Sequence, residues 1–314
     1  MRISSAVAGI SSGVFLGLIV ITIWHVFDVS SSSSAPALVF VSETADISNF
    51  LQPPSEVSYW PIRDFNILEP DISARAAGVY DTGAGRFLFT KNEDEQIPIA
   101  SITKLMTAIV VIENLNLNEI YTVNAEDVNV SGLGADLYEG ERVRGDELLK
   151  MMLIKSSNDA AMVFASAASE KGINVVQKMN EKAKLFNMGE SVFYDPAGLD
   201  ARTHSSVADI VKLVLKVGNY DIIWQTLRIK SADISSADGK LIHHIVSTNK
   251  LLDRLPGIIG GKTGYTEEAL GTMALVISIE GGKDSLISVV LGSNNRMGET
   301  QQLINWAEQS HKWR

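Results

Sequence analysis

Apolar residues recur at helical spacing through the middle of the chain. The first such stretch begins at Ser101, and its apolar positions are Ile102, Leu105, Met106, Ile109, Val110 and Ile112. Similar spacing predicts further helices over residues 147–154, 160–168, 175–186 and 206–217. Asp146 precedes the first of these and is a candidate helix cap. The pattern therefore predicts a mostly helical block.

Strands are predicted on both sides of this block. Residues 76–80 and 86–90 flank a Gly-rich turn and predict a hairpin. Later in the chain, residues 257–265 are glycine-rich and β-like, and the apolar runs 272–279 and 285–291 predict two more strands. An amphipathic helix is predicted over residues 300–313. This order predicts an α/β fold of the α+β type. A mostly antiparallel sheet, assembled from two distant parts of the chain and flanked by helices, would carry an inserted helical subdomain.

An uncharged stretch of 22 residues, Ala6 to Phe27, lies between Arg2 and Asp28. At 1.5 Å per residue, a helix of this length crosses a bilayer core of roughly 30 Å. One interpretation is a transmembrane anchor over residues 1–28, and the other is a signal peptide cleaved near Ala35-Pro36-Ala37. Both place the rest of the chain on the extracytoplasmic side. It would be held at the cell membrane by a single span, or released as a secreted or periplasmic protein.

The residues after this stretch are rich in serine and proline. Ser30–Ser34 form a serine run, and several prolines follow without clear periodicity. Such composition is typical of a flexible tether, which we predict over residues 29–64. Residues 65–314 then form the folded domain, and they are enough to bury a substantial core without covalent cross-links.

Composition excludes several classes of function. The chain has 27 basic and 37 acidic residues and a formal net charge of −10, which argues against nucleic acid as a partner. It has no cysteine, so disulfides, thiol nucleophiles and cysteine-bound metals are excluded. None of the five histidines has the spacing of a zinc site or a catalytic triad. We therefore expect neither a metal nor a cofactor.

Three short motifs contain candidate catalytic residues, and the first is Ser101-Ile102-Thr103-Lys104. Residues i and i+3 of a helix share a face, so Lys104 can lie beside the Ser101 hydroxyl and take its proton. Free N–H groups at a helix start can also stabilise an oxyanion. The alternative is that Ser101 is a helix cap, and Ser247-Thr248-Asn249-Lys250 has the same spacing.

The other two motifs are Ser156-Ser157-Asn158 and Lys262-Thr263-Gly264. A serine and an asparagine in a tight turn can relay a proton and hold a substrate amide. Alternatively, these residues cap the helix predicted from Ala160, and Ser293-Asn294-Asn295 fits the same pattern. At a strand start, a lysine and a threonine place a cation and a hydroxyl beside a site, and Gly264 permits close approach of the substrate. Alternatively, this third motif is an exposed strand end.

Together, the three motifs occur in an order and context that resemble the active-site serine DD-peptidases, among the penicillin-binding proteins and serine β-lactamases. The sequence most resembles the low-molecular-mass penicillin-binding proteins of the D-alanyl-D-alanine carboxypeptidase family. The resemblance covers residues 76–306 and includes the segments IPIASITKLMTA, ELLKMMLIKSSNDAA, MNEKAKLFNMGESVFYDPAGLD, STNKLL and GGKTGYT. It implies the DD-peptidase/β-lactamase-like fold. It also implies removal of the terminal D-alanine from peptidoglycan stem peptides, with β-lactams as covalent inhibitors.

The resemblance further implies a role for each residue of the motifs. Ser101 would be the acylated nucleophile and Lys104 its general base, while Ser156 would pass the proton towards the leaving D-alanine. The implied substrate-binding residues are Asn158, Lys262, Thr263, Gly264, Tyr265 and Arg296. The backbone N–H groups of Ser101 and Tyr265 would form the oxyanion hole. Arg296 would lie near the terminal carboxylate of the substrate, or else it is an ordinary surface arginine.

Two other functions remain open on the same fold. A serine β-lactamase commonly uses a glutamate between the second and third motifs, and Glu190 lies in that region, although the residues after it do not match. A non-catalytic, membrane-tethered wall-binding protein is the third hypothesis, and the intact Ser101, Lys104 and Lys262 argue against it. Leu270 departs from the family pattern, which usually runs directly from alanine to glycine, and it leaves the strand register at this point open.

Overall fold

Thirteen strands and eight α-helices are formed by the residues that this computed structural model describes, which are 60–128, 137–279 and 284–313. These residues belong to one compact unit that runs from Ser58 to Arg314. The strands are β1 (Ile62–Arg63), β2 (Ala76–Asp81), β3 (Arg86–Lys91), β4 (Ile97–Pro98), β5 (Ile120–Thr122), β6 (Arg142–Arg144), β7 (His204–Ser205), β8 (Ser231–Ser235), β9 (Ile242–Val246), β10 (Ile258–Thr266), β11 (Leu270–Ser278), β12 (Ser285–Ser293) and β13 (His311–Lys312). The helices are α1 (Thr103–Asn114), α2 (Ala125–Val128), α3 (Gly145–Lys150), α4 (Asn158–Glu170), α5 (Val175–Leu185), α6 (Val207–Val217), α7 (Asp221–Leu227) and α8 (Arg296–Ser310).

The main sheet has five antiparallel strands in the order β10-β11-β12-β2-β3. Pairing of β12 with β2 joins an early hairpin to three strands near the other end of the described residues. The α+β architecture, the hairpin and the assembly of the sheet from two distant parts of the chain are therefore confirmed.

Both faces of this sheet are buried, because consecutive residues of a strand point to opposite sides. In β12, Ile287 and Val289 join the core that the sheet shares with the helical block, whereas Leu286 and Val290 join a second core. Helix α8 packs against β11 and β12 in that second core. The continuous apolar runs that predicted β11 and β12 follow from this burial on two sides.

In the sequence, the helical block lies between β3 and β10. Its helices pack around α1. Residues 103–111 of α1 are all buried. Helices α4, α5 and α6 contact α1, and their starts are fixed by capping side chains. Ser157, Asn174 and Ser206 each accept a hydrogen bond from a backbone N–H in the first turn of the helix that follows. Short polar side chains directly before the apolar-periodic segments thus set the start of each helix.

Asp146 does not cap the helix that follows it, contrary to the prediction. The cap position of α3 is Arg144, and the carboxylate of Asp146 accepts hydrogen bonds from the Arg144 guanidinium. The single helix predicted over residues 147–154 is also divided, because α3 ends at Lys150 and a π-helix spans Met151–Lys155. This turn ends at Ser156, whose φ of 69° is left-handed and redirects the chain before α4.

The last helix starts and ends earlier than the predicted span of 300–313. Asn295 accepts a hydrogen bond from the N–H of Gly298 and thereby starts α8 at Arg296. The helix ends at Ser310 because the next two residues form β13, which pairs with β1. That pairing also gives strand structure to Ile62–Arg63, which the Ser/Pro-rich composition had placed in the tether.

The apolar segment 6–27 and most of the predicted tether lie outside the described residues. Within the described part of the chain, no helix is both long enough and apolar enough to cross a membrane. The anchor and the signal peptide therefore remain predictions from the sequence.

Candidate active site

Ser101 lies in a single turn of 3₁₀-helix, Ala100–Ile102, that leads directly into α1. Ala100 starts this turn with a left-handed φ of 48°. The cap positions of the turn and of α1 are Ile99 and Ile102, so the structure rejects the interpretation of Ser101 as a helix cap. Its side chain is half-buried, at the start of a helix whose next two turns are buried.

Lys104 is completely buried one turn after Ser101. Its Nζ atom lies 2.8 Å from Ser101 Oγ, 2.8 Å from Asn158 Oδ1 and 2.8 Å from the carbonyl oxygen of Ala197. The last two atoms can only accept hydrogen bonds, so they take the two N–H bonds of an uncharged amine. When the amine is uncharged, its lone pair is left for the Ser101 hydroxyl. This geometry suits an amine that removes the serine proton.

The three neighbouring residues of the second motif make different contacts. The Ser157 hydroxyl caps α4 by accepting a hydrogen bond from the N–H of Ala160. The cap interpretation is therefore correct for Ser157 alone. The left-handed conformation of Ser156 lets its half-buried side chain reach Lys262, while Asn158, in the first turn of α4, reaches Lys104.

Lys262 is the second buried lysine of the site. Its Nζ atom lies 2.6 Å from Ser156 Oγ and 2.9 Å from the carbonyl oxygen of Thr263. Burial lowers the pKa of Lys262 well below its usual value, and the positive charge of Lys104, when that amine is protonated, lowers it further. Each of the two lysines therefore touches one serine hydroxyl, with Asn158 beside them.

The strand β10 lies directly against the Ser101 turn. A Cβ atom at Gly264 would lie 2.8 Å from the backbone nitrogen of Ser101, so only glycine permits this approach. Thr263 is buried and its Oγ1 donates a hydrogen bond to Thr248 Oγ1 at 2.6 Å. Tyr265, by contrast, is 57% exposed at the end of the same strand. The third motif thus lines the site and is not an exposed strand end.

Arg296 reaches this region from the start of α8. A Cβ atom at Gly271 would lie 3.2 Å from both Cβ and Cδ of Arg296, so the arginine passes over a strand position that has no side chain. The half-buried guanidinium has its Nε atom buried without a hydrogen-bond partner among the described residues. Burial lowers the pKa of Arg296, and its charge contributes to the lowered pKa of Lys262. It is therefore not an ordinary surface arginine.

Leu270 does not disturb the pairing of β10 with β11 at this point. It has a left-handed φ of 53° and pairs with Thr266, and the next pair is Tyr265 with Gly271. The pairing of β11 with β12 is irregular just after it, because the register shifts between Gly271 and Met273.

The turn that begins at Asp195 has a role that could not be predicted from the sequence. Its Oδ1 accepts hydrogen bonds from the N–H groups of Ala197 and Leu199 and of the glycine between them, and Oδ2 accepts one from Asp200. The turn directs the carbonyl oxygen of Ala197 at Lys104. The residues DPAGLD predict a turn, with proline and glycine at its centre, but a carbonyl oxygen has no signature in the sequence.

Two features tie this turn to the nucleophile region. The carbonyl oxygen of Pro196 accepts a hydrogen bond from Thr107 of α1 at 2.6 Å. Gly198 has a left-handed φ of 78°, and a Cβ atom there would lie 2.0 Å from the carbonyl oxygen of Ala100. The turn therefore packs against Ala100, the residue before Ser101, and against α1, as well as against the amine of Lys104.

Glu190, the candidate for a β-lactamase, is engaged elsewhere. Its carboxylate accepts a hydrogen bond from Gln96 at 2.5 Å, and its N–H donates to Asp209. Neither partner belongs to the network around Ser101 and Lys104. This geometry gives no support to a role for Glu190 in deacylation.

Several known proteins are similar to this chain in sequence. A family model described as D-alanyl-D-alanine carboxypeptidase matches residues 64–295. A D-alanyl-D-alanine endopeptidase of Haemophilus influenzae is 35% identical over 224 residues, which are 70% of this chain and 76% of that protein. The D-alanyl-D-alanine carboxypeptidase DacF of Bacillus subtilis is 30% identical over 244 residues. That match spans 74% of this chain and 62% of the length of DacF.

Solved structures show the same fold. A D-alanyl-D-alanine carboxypeptidase from Mycobacterium tuberculosis superposes with a TM-score of 0.69 at 26% identity, covering 80% of this chain and 99% of that one. The Streptomyces K15 DD-transpeptidase superposes with a TM-score of 0.68 at 26% identity, covering 76% of this chain and 98% of that one.

Proposed function

Because the chain belongs to the D-alanyl-D-alanine carboxypeptidase family, we propose that it is a serine carboxypeptidase that removes the terminal D-alanine from peptidoglycan stem peptides. The observation that carries this proposal is the position of the Lys104 amine, which touches the Ser101 hydroxyl at 2.8 Å while two carbonyl oxygens hold its N–H bonds. A serine hydroxyl attacks a peptide carbonyl only when a base removes its proton.

Acylation begins when Ser101 Oγ attacks the carbonyl carbon between the two D-alanines. Lys104 accepts the serine proton as the new C–O bond forms. The developing oxyanion is stabilised by the backbone N–H groups of Ser101 and Tyr265. Removal of one such donor typically costs about 3 kcal/mol in the barrier. Strand β10 runs close to the Ser101 turn, since a Cβ atom at Gly264 would lie 2.8 Å from the Ser101 nitrogen, and this supports the pairing of the two backbone segments.

The leaving nitrogen needs a proton before the C–N bond breaks. Ser156 passes to it the proton that Lys104 took from Ser101, so Lys104 is uncharged again, and Lys262, whose Nζ lies 2.6 Å from Ser156 Oγ, holds the Ser156 hydroxyl in place. D-Alanine then leaves with its amine restored. A water molecule attacks the ester, its proton returns through Lys104 to Ser101, and the shortened peptide is released.

The terminal carboxylate of the substrate is bound by Arg296 and by the hydroxyl of Thr263. The buried, unpartnered Nε of Arg296 supports this role, because a desolvated cation without an acid partner favours an anionic ligand. Asn158 holds the substrate amide as well as Lys104, and Lys262 donates a hydrogen bond to the Ser156 hydroxyl in the same region. A β-lactam presents an equivalent carbonyl and carboxylate and forms an acyl-enzyme at Ser101.

We also propose that the domain works outside the cytoplasm, attached to the membrane by residues 6–27 or released after cleavage. The length and lack of charge of that segment support this. Two measurements test this proposal: the mass of the mature chain, and the cell fraction in which the chain is found. An uncut chain in the membrane fraction supports the anchor, a chain that begins after Ala37 supports the signal peptide, and full-length chain in the cytosol contradicts both.

The catalytic proposal is tested with the full-length chain purified in detergent. We expect release of D-alanine from a peptide that ends in D-Ala-D-Ala, and covalent labelling by a fluorescent penicillin. Ser101→Ala should abolish the labelling and reduce D-alanine release by a factor of about 10⁴ or more. Ser169→Ala, which removes an exposed serine of α4, is the matched control and should retain both.

Other outcomes separate the competing functions. Rapid antibiotic turnover without D-alanine release would identify a β-lactamase. Absence of both labelling and release in a chain with an intact thermal transition would favour a wall-binding protein.

A further inference from the structure

A groove of about 510 Å³ lies along one side of α8, on residues that take no part in the network around Ser101. Its helical wall extends from Gly298 to Gln309, and the facing wall, in the segment that precedes β2, contains Ile67, Leu68 and Pro70. We call it the α8 groove. Its volume is that of a ligand site, since such clefts measure about 300–1,000 Å³.

The helical wall of the α8 groove is a row of carboxamides. Gln301, Gln302, Asn305 and Gln309 all line it, because residues three or four apart share a helix face. The chain has seven glutamines, and three of them are in this groove. At 1.5 Å per residue, the row extends along about 12 Å of the helix.

The α8 groove is also uncharged. None of the described residues that line it carries a charge, although 20% of the residues of the chain are charged. The exposed face of a helix normally carries charged side chains. Glu69 lies between two residues of the facing wall, but its carboxylate is held in an ion pair with Arg63 at 2.8 Å. A charged ligand would find no counter-ion here, so the groove favours a neutral one.

Most of the carboxamides are available to a ligand. Gln302 donates a hydrogen bond to the carbonyl oxygen of Asp71 at 3.5 Å, which is long for such a bond. The side chains of Gln301, Asn305 and Gln309 make no hydrogen bond to another residue in the described parts of the chain. A carboxamide has two N–H donors and an oxygen acceptor, so each can bind a hydroxyl group or another amide.

The facing wall is apolar. Leu68 is 82% exposed, and Ile67 and Pro70 beside it are half-buried. A methyl group on a ligand would cover this leucine while the polar groups of the ligand face α8. The two walls together suit a ligand that is neutral, rich in hydroxyl and amide groups, and apolar at some points.

From these observations we infer that the α8 groove binds a neutral oligosaccharide whose sugars carry acetamido groups. The carboxamides exchange hydrogen bonds with the sugar hydroxyls and the acetamido groups, and the acetyl methyl groups pack on Leu68. The inference goes beyond the proposed function, because it adds a binding site at which no bond forms or breaks.

A peptide fits the α8 groove less well than a saccharide. The common peptide-binding modes use a sheet edge, an apolar groove that takes a helix, or exposed aromatic rings. This groove is the side of a helix with a polar wall, and its aromatic residue, Trp306, is only 5% exposed. Peptide binding is nevertheless an outcome that the experiment distinguishes.

Isothermal titration calorimetry tests the inference on the full-length chain, in a detergent without a sugar head group. The three probes are N-acetylchitotetraose, cellotetraose, which has the same linkage without acetamido groups, and tetraglycine with both ends blocked. We expect N-acetylchitotetraose to bind about tenfold more tightly than either of the others, because it alone offers both amide and hydroxyl groups.

A double variant tests the carboxamides. Gln301→Met combined with Asn305→Leu removes two amides while it keeps similar side-chain volumes, and it should weaken binding of N-acetylchitotetraose about tenfold or more. Gln177→Met combined with Asn118→Leu makes the same changes at exposed positions outside the groove. This matched control should bind like the parent chain.

A second variant tests the apolar wall without a risk to folding. Leu68→Ala changes a side chain that is 82% exposed, and it should weaken binding of N-acetylchitotetraose about threefold. Leu185→Ala, at a 72% exposed leucine at the end of α5, is the matched control and should not weaken it. All variants should be labelled by fluorescent penicillin like the parent chain, and their thermal transitions establish that they are folded.

The inference and the proposed function fail in different ways. A parent chain that penicillin labels but that does not bind N-acetylchitotetraose would overturn the inference and leave the carboxypeptidase intact. Equal affinity of the parent chain and the Gln301→Met, Asn305→Leu chain would also overturn it, as would cellotetraose or tetraglycine that binds as tightly as N-acetylchitotetraose. Binding of N-acetylchitotetraose without labelling or D-alanine release would support the inference and contradict the proposed function.

Discussion

The carbonyl oxygen of Ala197 lies 2.8 Å from Nζ of Lys104, although the two residues are 93 positions apart in the chain. A backbone carbonyl can only accept a hydrogen bond, so it holds one N–H of the amine and leaves the lone pair for Ser101. Because the carbonyl belongs to the turn that Asp195 organises, the position of the proposed base depends on a carboxylate that does not touch it.

Asp195→Ala is therefore expected to slow acylation about 100-fold, because small displacements of a catalytic group have effects of that size. The turn would lose the acceptor of four backbone N–H groups, and Ala197 would no longer be held against Lys104. Stopped-flow measurements with a fluorescent penicillin separate the acylation rate constant from the dissociation constant of the initial complex. Only the rate constant should change.

Two variants accompany this measurement. Asp195→Asn retains the Oδ1 acceptor, which receives three of the four hydrogen bonds, and should recover most of the rate. Asp238→Ala removes a carboxylate that accepts the N–H of Lys240 in an exposed turn, and it should acylate normally. Equal losses in Asp195→Ala and Asp238→Ala would exclude the positioning role.

Gly198→Ala should be far more damaging than Gly172→Ala. Both glycines have a left-handed φ, 78° and 74°, so alanine is strained at either position. A Cβ atom at Gly198 would also lie 2.0 Å from the carbonyl oxygen of Ala100, whereas at Gly172 it would meet no atom within 4 Å. We expect Gly172→Ala to cost about 1 kcal/mol and to acylate normally. Gly198→Ala should lose acylation.

Thermal unfolding and penicillin labelling of the two glycine variants separate two effects. Backbone strain affects both variants, whereas the clash with Ala100 affects only Gly198→Ala. Similar transition temperatures and similar labelling would mean that the approach of the Asp195 turn to Ala100 is not rigid. A large difference would show that the nucleophile turn and the Asp195 turn are packed as one unit.

Local signals predicted much of the fold and of the site. The period of the apolar positions predicted α1, and the motif spacing placed Lys104 beside Ser101, because residues three apart share a helix face. Features that depend on contacts between distant parts of the chain, or on an unusual backbone conformation, were not predictable in this way. The end of α8 is set by pairing of His311–Lys312 with residues far earlier in the chain, and the left-handed Ser156 ends a π-helix that no composition indicates.

Lys262→Met is expected to stabilise the protein at neutral pH while it abolishes D-alanine release. The buried amine has a pKa well below its usual value, so the folded state binds fewer protons there than the unfolded state. Between the lowered pKa and about 10.5, the stability of the parent chain therefore rises with pH. Methionine removes this dependence.

The measurement is the transition temperature as a function of pH. At pH 7 we expect an increase of about 2–4 °C for each kcal/mol gained. The difference from the parent chain should narrow as the pH approaches 10. Lys184→Met, at an exposed lysine, is the control and should show no such trend. A variant that is less stable than its parent at every pH would contradict the expected cost of burying Lys262.

Arg296→Met should weaken hydrolysis selectively for substrates with a free terminal carboxylate. A hydrogen bond to a charged group contributes about 1.5–3 kcal/mol, which corresponds to a loss in kcat/KM of roughly 10- to 150-fold. The same peptide with a terminal amide lacks the anion and is expected to be a poor substrate of both proteins, with nearly equal rates. A uniform loss on both peptides would show that Arg296 supports the structure and does not bind the carboxylate.

The pairing of β12 with β2 has a consequence for how the active chain is made. Loop closure between such distant segments is entropically costly and slows folding, whereas the intervening helices form from nearby contacts. During synthesis, the β2–β3 hairpin has no partner strand until residues 285–293 have been added. The strand with Lys262 reaches the sheet through the same late step. A nascent chain that stops before residue 285 is therefore expected to contain Ser101 and Lys104 without a competent site, and hydrolysis would begin only after residues 285–293 have been added.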